Sequence, residues 1–309
     1  SFSTLLHGVS LSGMKTGTVK PSSRRKRLQR TEEVFFRTLM FISSCLIVGV
    51  LLMIIYSIMK TGIPSLSLEM LTQTPKGGFY FGKEGGILNA IVGSLYLALG
   101  ATALALVIGL PVAMFMNTWL LRYKSLVNSI RFILDLLWGV PSIIYGAIGF
   151  TVMIMMGWKT SLGAGIIVVG FFILPIMIRA IDEGLKSSPG GLTEASLSLG
   201  ATRSELGFRV LARQCFPGII TAILLSFGRA IGDAASVLFT TGFTDNIPTS
   251  LGQPTATLPL SIFFQLTSPI PEVKNRAYAA AVVLTVIILL ISVASRLFTN
   301  RYKKQSIKF

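Results

Sequence analysis

Six long apolar stretches divide the chain, and each is long enough for a helix to cross a membrane. A membrane-spanning helix needs about 20 consecutive, mostly apolar residues. The stretches cover residues 34–59, 87–117, 127–156, 162–181, 218–241 and 277–299. More polar segments of unequal length separate them. The pattern therefore predicts an all-α integral membrane protein with six transmembrane helices.

Composition supports this class and explains the charge. Of the 309 residues, 52% are hydrophobic and 13% are charged, and the mean hydropathy of +0.72 is well above that of soluble domains. The net charge is +16, but if the N-terminus is inside, only six of the 28 Lys and Arg residues fall in outside segments. These six are Lys60, Lys76, Lys83, Lys159, Lys274 and Arg276. The charge is therefore a positive-inside bias, which predicts two cytoplasmic termini and no nucleic-acid partner.

The sizeable polar insert between the fourth and fifth stretches carries a motif that could contact a partner protein. Its central residues are Glu194, Ala195, Ser196, Gly200, Ala201 and Thr202. Residues 194–199 are typical of a short helix, Gly200 permits a break, and residues 204–215 are typical of a second helix. A helix–glycine–helix wedge is well shaped to dock into a groove on a soluble partner. The alternative is an ordinary cytoplasmic loop that contains a helical turn.

A proline interrupts the third apolar stretch. Pro141 removes a backbone donor two residues after Gly139, so the helix should kink or break there. A break at membrane depth requires neighbours or water to satisfy the freed groups, so it would either line a path or form a simple kink. Before this break, Asp135 lies four positions after Arg131, and we expect the two to pair on one helical face.

Small residues recur in the second stretch and would form a stripe along one helix: Ser94, Ala98, Gly100, Ala101, Thr102, Ala105 and Gly109. Small residues let helices approach closely in lipid, and ordinary bundle packing is the better interpretation of this stripe.

Two charges fall inside the fifth stretch. Arg229 lies about 18 Å along the helix from Pro217, close to the middle of the bilayer. Asp233 follows four residues later and would share its face, so each charge could partly neutralise the other. Gly228 and Gly232 would leave room beside the pair. These residues form either a polar constriction where Arg229 attracts an oxyanion and Asp233 restrains it, or a structural ion pair.

Other candidate motifs can be set aside. Residues 77–83 satisfy the first part of a phosphate-binding loop, but Glu84 stands where the Mg²⁺-binding hydroxyl is needed, and the segment is predicted to be outside. The single histidine, His7, and the two separated cysteines, Cys45 and Cys215, do not form a zinc-type motif. The sequence predicts no metal, no cofactor and no catalytic residue.

Several ordered motifs together resemble one family. They are residues 85–87, 92–95, 139–143, 194–202, 228–232 and 258–262. In this order and spacing they resemble the permease subunits of phosphate ABC importers, and most of all the PstA-type subunit. The resemblance covers about residues 80–300.

The resemblance implies a type I importer permease core of five helices plus one N-terminal helix, in the cytoplasmic membrane of a prokaryote. It implies half of a translocation pore, a homologous second permease subunit, two cytoplasmic ATPase subunits and an extracytoplasmic phosphate-binding protein. The 194–202 segment would be the coupling loop, and ATP would be hydrolysed by the partner subunits. Alternatives are a permease for phosphonate, sulfate or molybdate, and a secondary transporter without ATPases.

This organisation gives five predicted regions. They are a basic cytoplasmic tail (1–33), a first transmembrane helix (34–59), an extracytoplasmic loop (60–86), a permease core with a coupling loop (87–300, with 182–217) and a basic tail (301–309).

The sequence departs from the family pattern at two places. Asp233 stands where the family usually has Glu, which keeps the charge but shortens its reach. Ala212 and Arg213 replace the usual Leu-Pro late in the coupling loop. We therefore expect the second coupling helix to continue further before it breaks.

Overall fold

A computed structural model describes residues 23–76 and 84–303 of the chain. The segment 77–83, which resembles a phosphate-binding loop, and His7 lie outside the described residues. The chain divides into two compact units, Ser1–Tyr56 and Ser57–Phe309, which are considered separately.

The first unit contains most of one long helix, α1 (Ser23–Gly62). The stretch Glu32–Ser65, most of which belongs to α1, has a mean hydropathy of 2.7 and is long and apolar enough to cross a membrane. The predicted first span, residues 34–59, falls within this helix.

The second unit is built almost entirely from helices. In chain order they are α2 (Leu68–Thr72), α3 (Leu88–Thr118), α4 (Lys124–Gly139), α5 (Ser142–Met155), α6 (Leu162–Lys186), α7 (Gly190–Ser198), α8 (Arg203–Glu205), a π-helical stretch (Leu206–Leu211), α9 (Ala212–Gln214), α10 (Phe216–Ile231), α11 (Leu258–Leu266) and α12 (Pro271–Lys303). Short 3₁₀ turns cover Ile63–Ser65 and Leu120–Arg122. A small antiparallel ribbon pairs β1 (Pro75–Lys76) with β2 (Glu84–Gly85).

The core of this unit lies between α3 and α6, and α10 packs against both. The small residues of α3 form much of its packing face, because Ser94, Ala98, Ala101, Thr102 and Ala105 are all buried. Such residues let neighbouring backbones approach closely, as the sequence predicted. α12 packs against α10 and α11 on one side of the core.

Among the described residues, four helices are long and apolar enough to span a membrane, and two bent helix pairs could bring the number to six. The first pair, α4 and α5, bends by 91°, and the second, residues 203–214 with α10, bends by 76°. The fold is therefore all-α and multi-pass, with four to six candidate spans.

The predicted end of the fifth span is wrong. The apolar run continues to Thr241, but α10 stops at Ile231 and Gly232 caps it. Beyond it the chain turns back and contacts the start of α6, where Ser161 N donates to Thr240 O at 3.0 Å and Leu162 N donates to Gln253 O at 2.8 Å. Residues 232–241 are largely apolar because much of this segment is buried in protein, although they do not form a helix.

Candidate transport path and coupling surface

The break in the third span lies on the surface of the chain. α4 ends at Gly139 and α5 begins at Ser142, and Pro141 between them is exposed. Two local bonds satisfy part of the freed backbone: Val140 N donates to Leu137 O at 3.2 Å, and Ile144 N donates to Pro141 O at 3.0 Å. Hydrogen bonds between neighbouring residues therefore stabilise the sharp bend.

Arg229 lies in the last turn of α10, and its side chain is exposed. Its guanidinium carbon lies 5.1 Å from the centroid of the Phe172 ring, which belongs to α6. At this distance the guanidinium and the ring form a cation–π interaction. The interaction offsets part of the free-energy cost of removing the charge from water. Among the described residues, no carboxylate forms an ion pair with Arg229.

An aromatic chain links Arg229 to the break in the third span. The ring of Phe172 meets the ring of Tyr145 edge to face, with their centroids 5.5 Å apart. The hydroxyl of Tyr145, on α5, donates to the carbonyl oxygen of Leu137, on α4, at 3.1 Å. The guanidinium and the helix break are therefore connected by side chains in contact, and no motif in the sequence indicates this connection.

The predicted pairing of Arg229 with Asp233 is wrong. Because α10 ends before Asp233, the two residues do not share a helical face. Asp233 is buried, and its Oδ2 accepts hydrogen bonds from the backbone N–H and the hydroxyl of Ser236. This carboxylate organises the turn that follows α10. This turn packs closely against α5, because a Cβ at Gly146 would come within 2.9 Å of Ser236 O.

The two glycines beside Arg229 leave open space within this chain. A Cβ at Gly228 would find its nearest atom, on Ile291, 4.0 Å away. At Gly232 the nearest atoms would be Gly228 O at 3.4 Å and Ile288 Cδ1 at 3.8 Å, which are ordinary contacts. Packing inside this chain therefore does not require either glycine, and the space beside α10 can accept a further helix or a ligand.

The candidate coupling segment, residues 182–217, has the helix–glycine–helix form that the sequence predicted. The first helix, α7, begins at Gly190 rather than at residue 194, and Glu194 and Ala195 on it are exposed. Gly200 has φ +83° and open space around its Cα, so the chain turns in the left-handed region that favours glycine. Leu199, beside it, is 89% exposed. An apolar side chain at the tip of such a wedge is suited to a partner surface.

The second helical part begins with a capping box that the sequence reading missed. Thr202 Oγ1 accepts from Glu205 N at 3.3 Å, and Thr202 N donates to Glu205 Oε2 at 3.1 Å. The Thr-x-x-Glu spacing could have revealed it. The hydrogen bonds from the Thr202 backbone and hydroxyl hold the pKa of the Glu205 carboxyl below its usual value. The remaining motif residues, Ser196 and Ala201, are half-buried beside this turn.

A buried carboxylate lies where α6 leads into the coupling segment. Asp182 is fully buried, and Arg131 on α4 donates to both of its oxygens, from Nε and Nη2, at 2.9 Å each. Asn117 Nδ2, at the end of α3, donates to Oδ1 at 2.8 Å. Arg179 Nη1 donates to Oδ2 at 3.0 Å, and the Lys186 ammonium is 3.3 Å from the same oxygen. The carboxylate is thus surrounded by donors from three helices.

This cluster corrects the predicted Arg131–Asp135 pair. Asp135 instead pairs with Arg179, whose Nε donates to Oδ1 at 2.7 Å. Local spacing favoured a pair on one helix, but a buried carboxylate with no water to solvate it requires cations more strongly than an exposed one.

A second contact joins the coupling segment to α3. Arg203, the first residue of α8, donates from Nη1 to the carbonyl oxygens of Thr118 at 3.4 Å and Trp119 at 3.0 Å. These carbonyls close the end of α3, where the backbone lacks partners within the helix and a cation is favoured. Gly207 lies against Thr118 as well, because a Cβ there would lie 3.4 Å from its methyl group.

The chain matches the family described as "Binding-protein-dependent transport system inner membrane component" over residues 105–304. It is 34% identical over 251 residues to the phosphate transport system permease protein PstA of Xylella fastidiosa, which covers 80% of this chain and 85% of the relative. It is also 34% identical over 257 residues to PstA of Yersinia pestis, which covers 82% of this chain and 85% of the relative. The chain belongs to this family of ABC-importer permeases.

Solved structures support the same fold. A chain of the MetNI methionine ABC transporter, described as inward facing, matches with a TM-score of 0.56 and 20% identity, covering 70% of this chain and 95% of that one. A chain of a bacterial alginate ABC transporter matches with a TM-score of 0.55 and 16% identity, covering 91% of this chain and 97% of that one. The expected importer-permease fold is confirmed, and the chain is a multi-pass membrane protein.

Proposed function

We propose that this chain is a transmembrane subunit of an ATP-driven importer of inorganic phosphate. In this proposal it forms half of the translocation pore, and a homologous permease subunit forms the other half. Two cytoplasmic ATPase subunits and an extracytoplasmic phosphate-binding protein complete the complex. The proposal places both termini of the chain in the cytoplasm. It divides the chain into the five regions, with the boundaries, that the sequence predicts.

The observation that carries this proposal is the exposed guanidinium of Arg229 in the last turn of α10, an apolar helix that forms a candidate membrane span together with residues 203–214. A charge at this depth is costly unless it faces a polar cavity or a partner. The planar guanidinium donates bidentately to phosphate-like oxygens. Since relatives with 34% identity over about 80% of the chain are named as phosphate transport permeases, an oxyanion is the ligand that best fits this group.

The surroundings of Arg229 support its role on the path. Gly228 and Gly232 leave space beside it, so that the second permease subunit or the anion can approach. Gly139 and Pro141 form the bend that the aromatic side chains connect to Arg229. We propose that the bend lines the same path. Asp233 would act indirectly, by fixing the turn that follows the arginine.

The coupling role rests on the exposed wedge. Glu194, Ala195 and Gly200 lie on a surface that nothing else in the described chain covers, and Leu199 projects from its tip. We propose that Glu194, Ala195, Ser196, Gly200, Ala201 and Thr202 together dock into a groove on an ATPase subunit. ATP binding there would move the wedge relative to the membrane helices.

Two matched glycine substitutions test this docking. Gly200→Gln places a side chain at a residue with φ +83°, whereas Gly191→Gln changes an exposed glycine of α7 that lacks a positive φ. We expect Gly200→Gln to leave the subunit in the membrane, to release the ATPase subunits and to abolish phosphate uptake, because the turn at the tip can no longer form. Uptake of radiolabelled phosphate and co-purification of the ATPase in mild detergent measure these effects, and Gly191→Gln should preserve both.

Three results would contradict the proposal. Normal uptake by Gly200→Gln would remove the docking role. Phosphate uptake by a purified chain that carries no ATPase would indicate a secondary transporter. Stronger uptake of phosphonate, sulfate or molybdate than of phosphate would change the substrate.

A further inference from the structure

On either side of α7, the coupling segment is attached to three consecutive residues at the end of α3. On one side, Asp182 lies in the last turns of α6 and accepts from Asn117. On the other side, Arg203 donates to the carbonyls of Thr118 and Trp119. α7, which lies between these two attachments, presents mainly exposed side chains. We therefore expect a displacement of α7 to reach the bundle through the residues on either side of it.

The Asp182 attachment is held in a fixed geometry. Its two oxygens accept from Arg131 as a bidentate pair, while Asn117 also donates from the same Nδ2 to Ala113 O at 2.9 Å. The bidentate geometry fixes both the distance and the orientation between α4 and α6. Because the carboxylate is fully buried, breaking this arrangement would leave charges without compensation, so α3, α4 and α6 should move together here.

α3 extends from this attachment to the other side of the unit. Its 31 residues span about 46 Å at 1.5 Å per residue. Near its first turns, Asn89 Nδ2 donates to Thr244 O at 2.7 Å, and Ser94 Oγ accepts from Leu258 N at 2.7 Å. Thr244 lies between α10, the helix that carries Arg229, and α11, and Leu258 begins α11. One helix thus joins the coupling segment to the region beyond the candidate path.

We propose that Arg203 and Asp182 are positioning residues that transmit the movement of the coupling segment to α3. This inference rests on the proposed function, because it assigns the step by which ATP-driven motion of the wedge reaches the membrane helices. Arg203 binds the carbonyl oxygens at the end of α3. Asp182 binds both Asn117 of α3 and Arg131 of α4. Neither residue touches the transported anion.

Substitution of Arg203 tests this role without disturbing the buried carboxylate. Arg203→Gln removes the cation from the end of α3, and Arg203→Lys keeps an ammonium that can reach the same carbonyls. Asn117→Ala removes the other attachment and leaves the Arg131–Asp182 pair intact. The matched control is Arg209→Gln on the neighbouring π-helical stretch, because Arg209 is 78% exposed and pairs only with Glu205 among the described residues.

The measurement is the amount of phosphate imported per ATP hydrolysed, by complexes reconstituted in vesicles with the binding protein. We expect Arg203→Gln and Asn117→Ala to assemble with the ATPase and to lower this ratio about fivefold, the size of change expected when a coupling contact is lost. Arg203→Lys should restore most of the ratio, and Arg209→Gln should match the wild type. A merely structural role would lower assembly and leave the ratio unchanged.

An unchanged ratio in both Arg203→Gln and Asn117→Ala, or an equal loss in Arg209→Gln, would overturn the proposal. A wild-type complex that hydrolyses ATP but imports no phosphate would contradict the proposed substrate instead. The same samples then test the attachment by hydrogen exchange at residues 113–119. The change that ATP causes there should disappear in Arg203→Gln and persist in Arg209→Gln, and its persistence in both would also overturn the proposal.

Discussion

Asp182 and Arg229 are both charges on helices of the membrane bundle, and the chain treats them in opposite ways. Asp182 is fully buried and is surrounded by Arg131, Arg179, Lys186 and Asn117. Arg229 is exposed, and among the described residues it has an aromatic ring rather than a carboxylate beside it. Cations of the same chain compensate the charge of Asp182. The charge of Arg229 is accessible to a ligand or to another subunit.

This difference separates two kinds of contribution to function. A fully compensated charge fixes the relative positions of helices, so its loss should be seen first in assembly. A charge with an incomplete set of partners contributes little to the packing of its own chain, so its loss should be seen first in transport. Substitutions at the two sites should therefore give different combinations of membrane abundance and activity.

The largest expected effect is a loss of assembly at the buried site. Asp182→Asn leaves Arg131 and Arg179 without their shared carboxylate, and breaking a buried ion pair in this way costs about 3–5 kcal/mol. We expect the membrane abundance of the subunit to fall severely and the thermal midpoint of the detergent-purified complex to drop. Immunoblots of membranes and thermal unfolding measure the two quantities.

Glu183→Gln is the matched control for this substitution. Glu183 is the next residue of α6, its side chain is 68% exposed, and it pairs with Lys186 at 3.2 Å. Surface pairs of this kind contribute at most about 1 kcal/mol, so abundance should stay near the wild-type level. Equal losses at residues 182 and 183 would contradict the view that burial and compensation make Asp182 important.

A smaller effect distinguishes the observed neighbours of Asp233 from the pair predicted from sequence. Asp233→Asn weakens the bonds to Ser236 and should lower the thermal midpoint modestly, whereas Arg229→Gln should leave it nearly unchanged. Because the two side chains have different partners, the double variant should show the sum of the single effects, within about 0.5 kcal/mol. Thermal unfolding of the four proteins forms the required cycle. A double variant clearly more stable than Asp233→Asn alone would show that the two charges pair after all.

Much of the helix arrangement could be predicted from hydropathy. Each apolar stretch corresponds to helical structure, and the small-residue stripe of α3 is indeed a packing face. The sequence was less informative where buried irregular structure follows a helix. The run after Ile231 is apolar and continues to Thr241, so hydropathy extended the helix, although Gly232 and the Asp233–Ser236 bonds end it. The short helix α11 was also missed, although Thr257 and Pro259 provide a start signal.

The charged sites show the limit of local reasoning. The wedge around Gly200 could be predicted because its form depends on neighbouring residues and on one glycine with positive φ. The partners of Arg131 could not, because the carboxylate that binds it is 51 residues away in the chain. Spacing on a helix predicts an ion pair with a nearby residue. In the folded bundle, Arg131 instead binds the buried carboxylate of Asp182, which is not solvated by bulk water.

The most direct test of the central claim is phosphate uptake by Arg229→Gln, measured together with the membrane abundance of the complex. Arg296→Gln is the control, because Arg296 is another exposed arginine, close to the end of α12. If Arg229 serves the path, Arg229→Gln should assemble to the wild-type level and lose phosphate uptake, while Arg296→Gln keeps both. Undiminished uptake by Arg229→Gln at normal abundance would contradict the account.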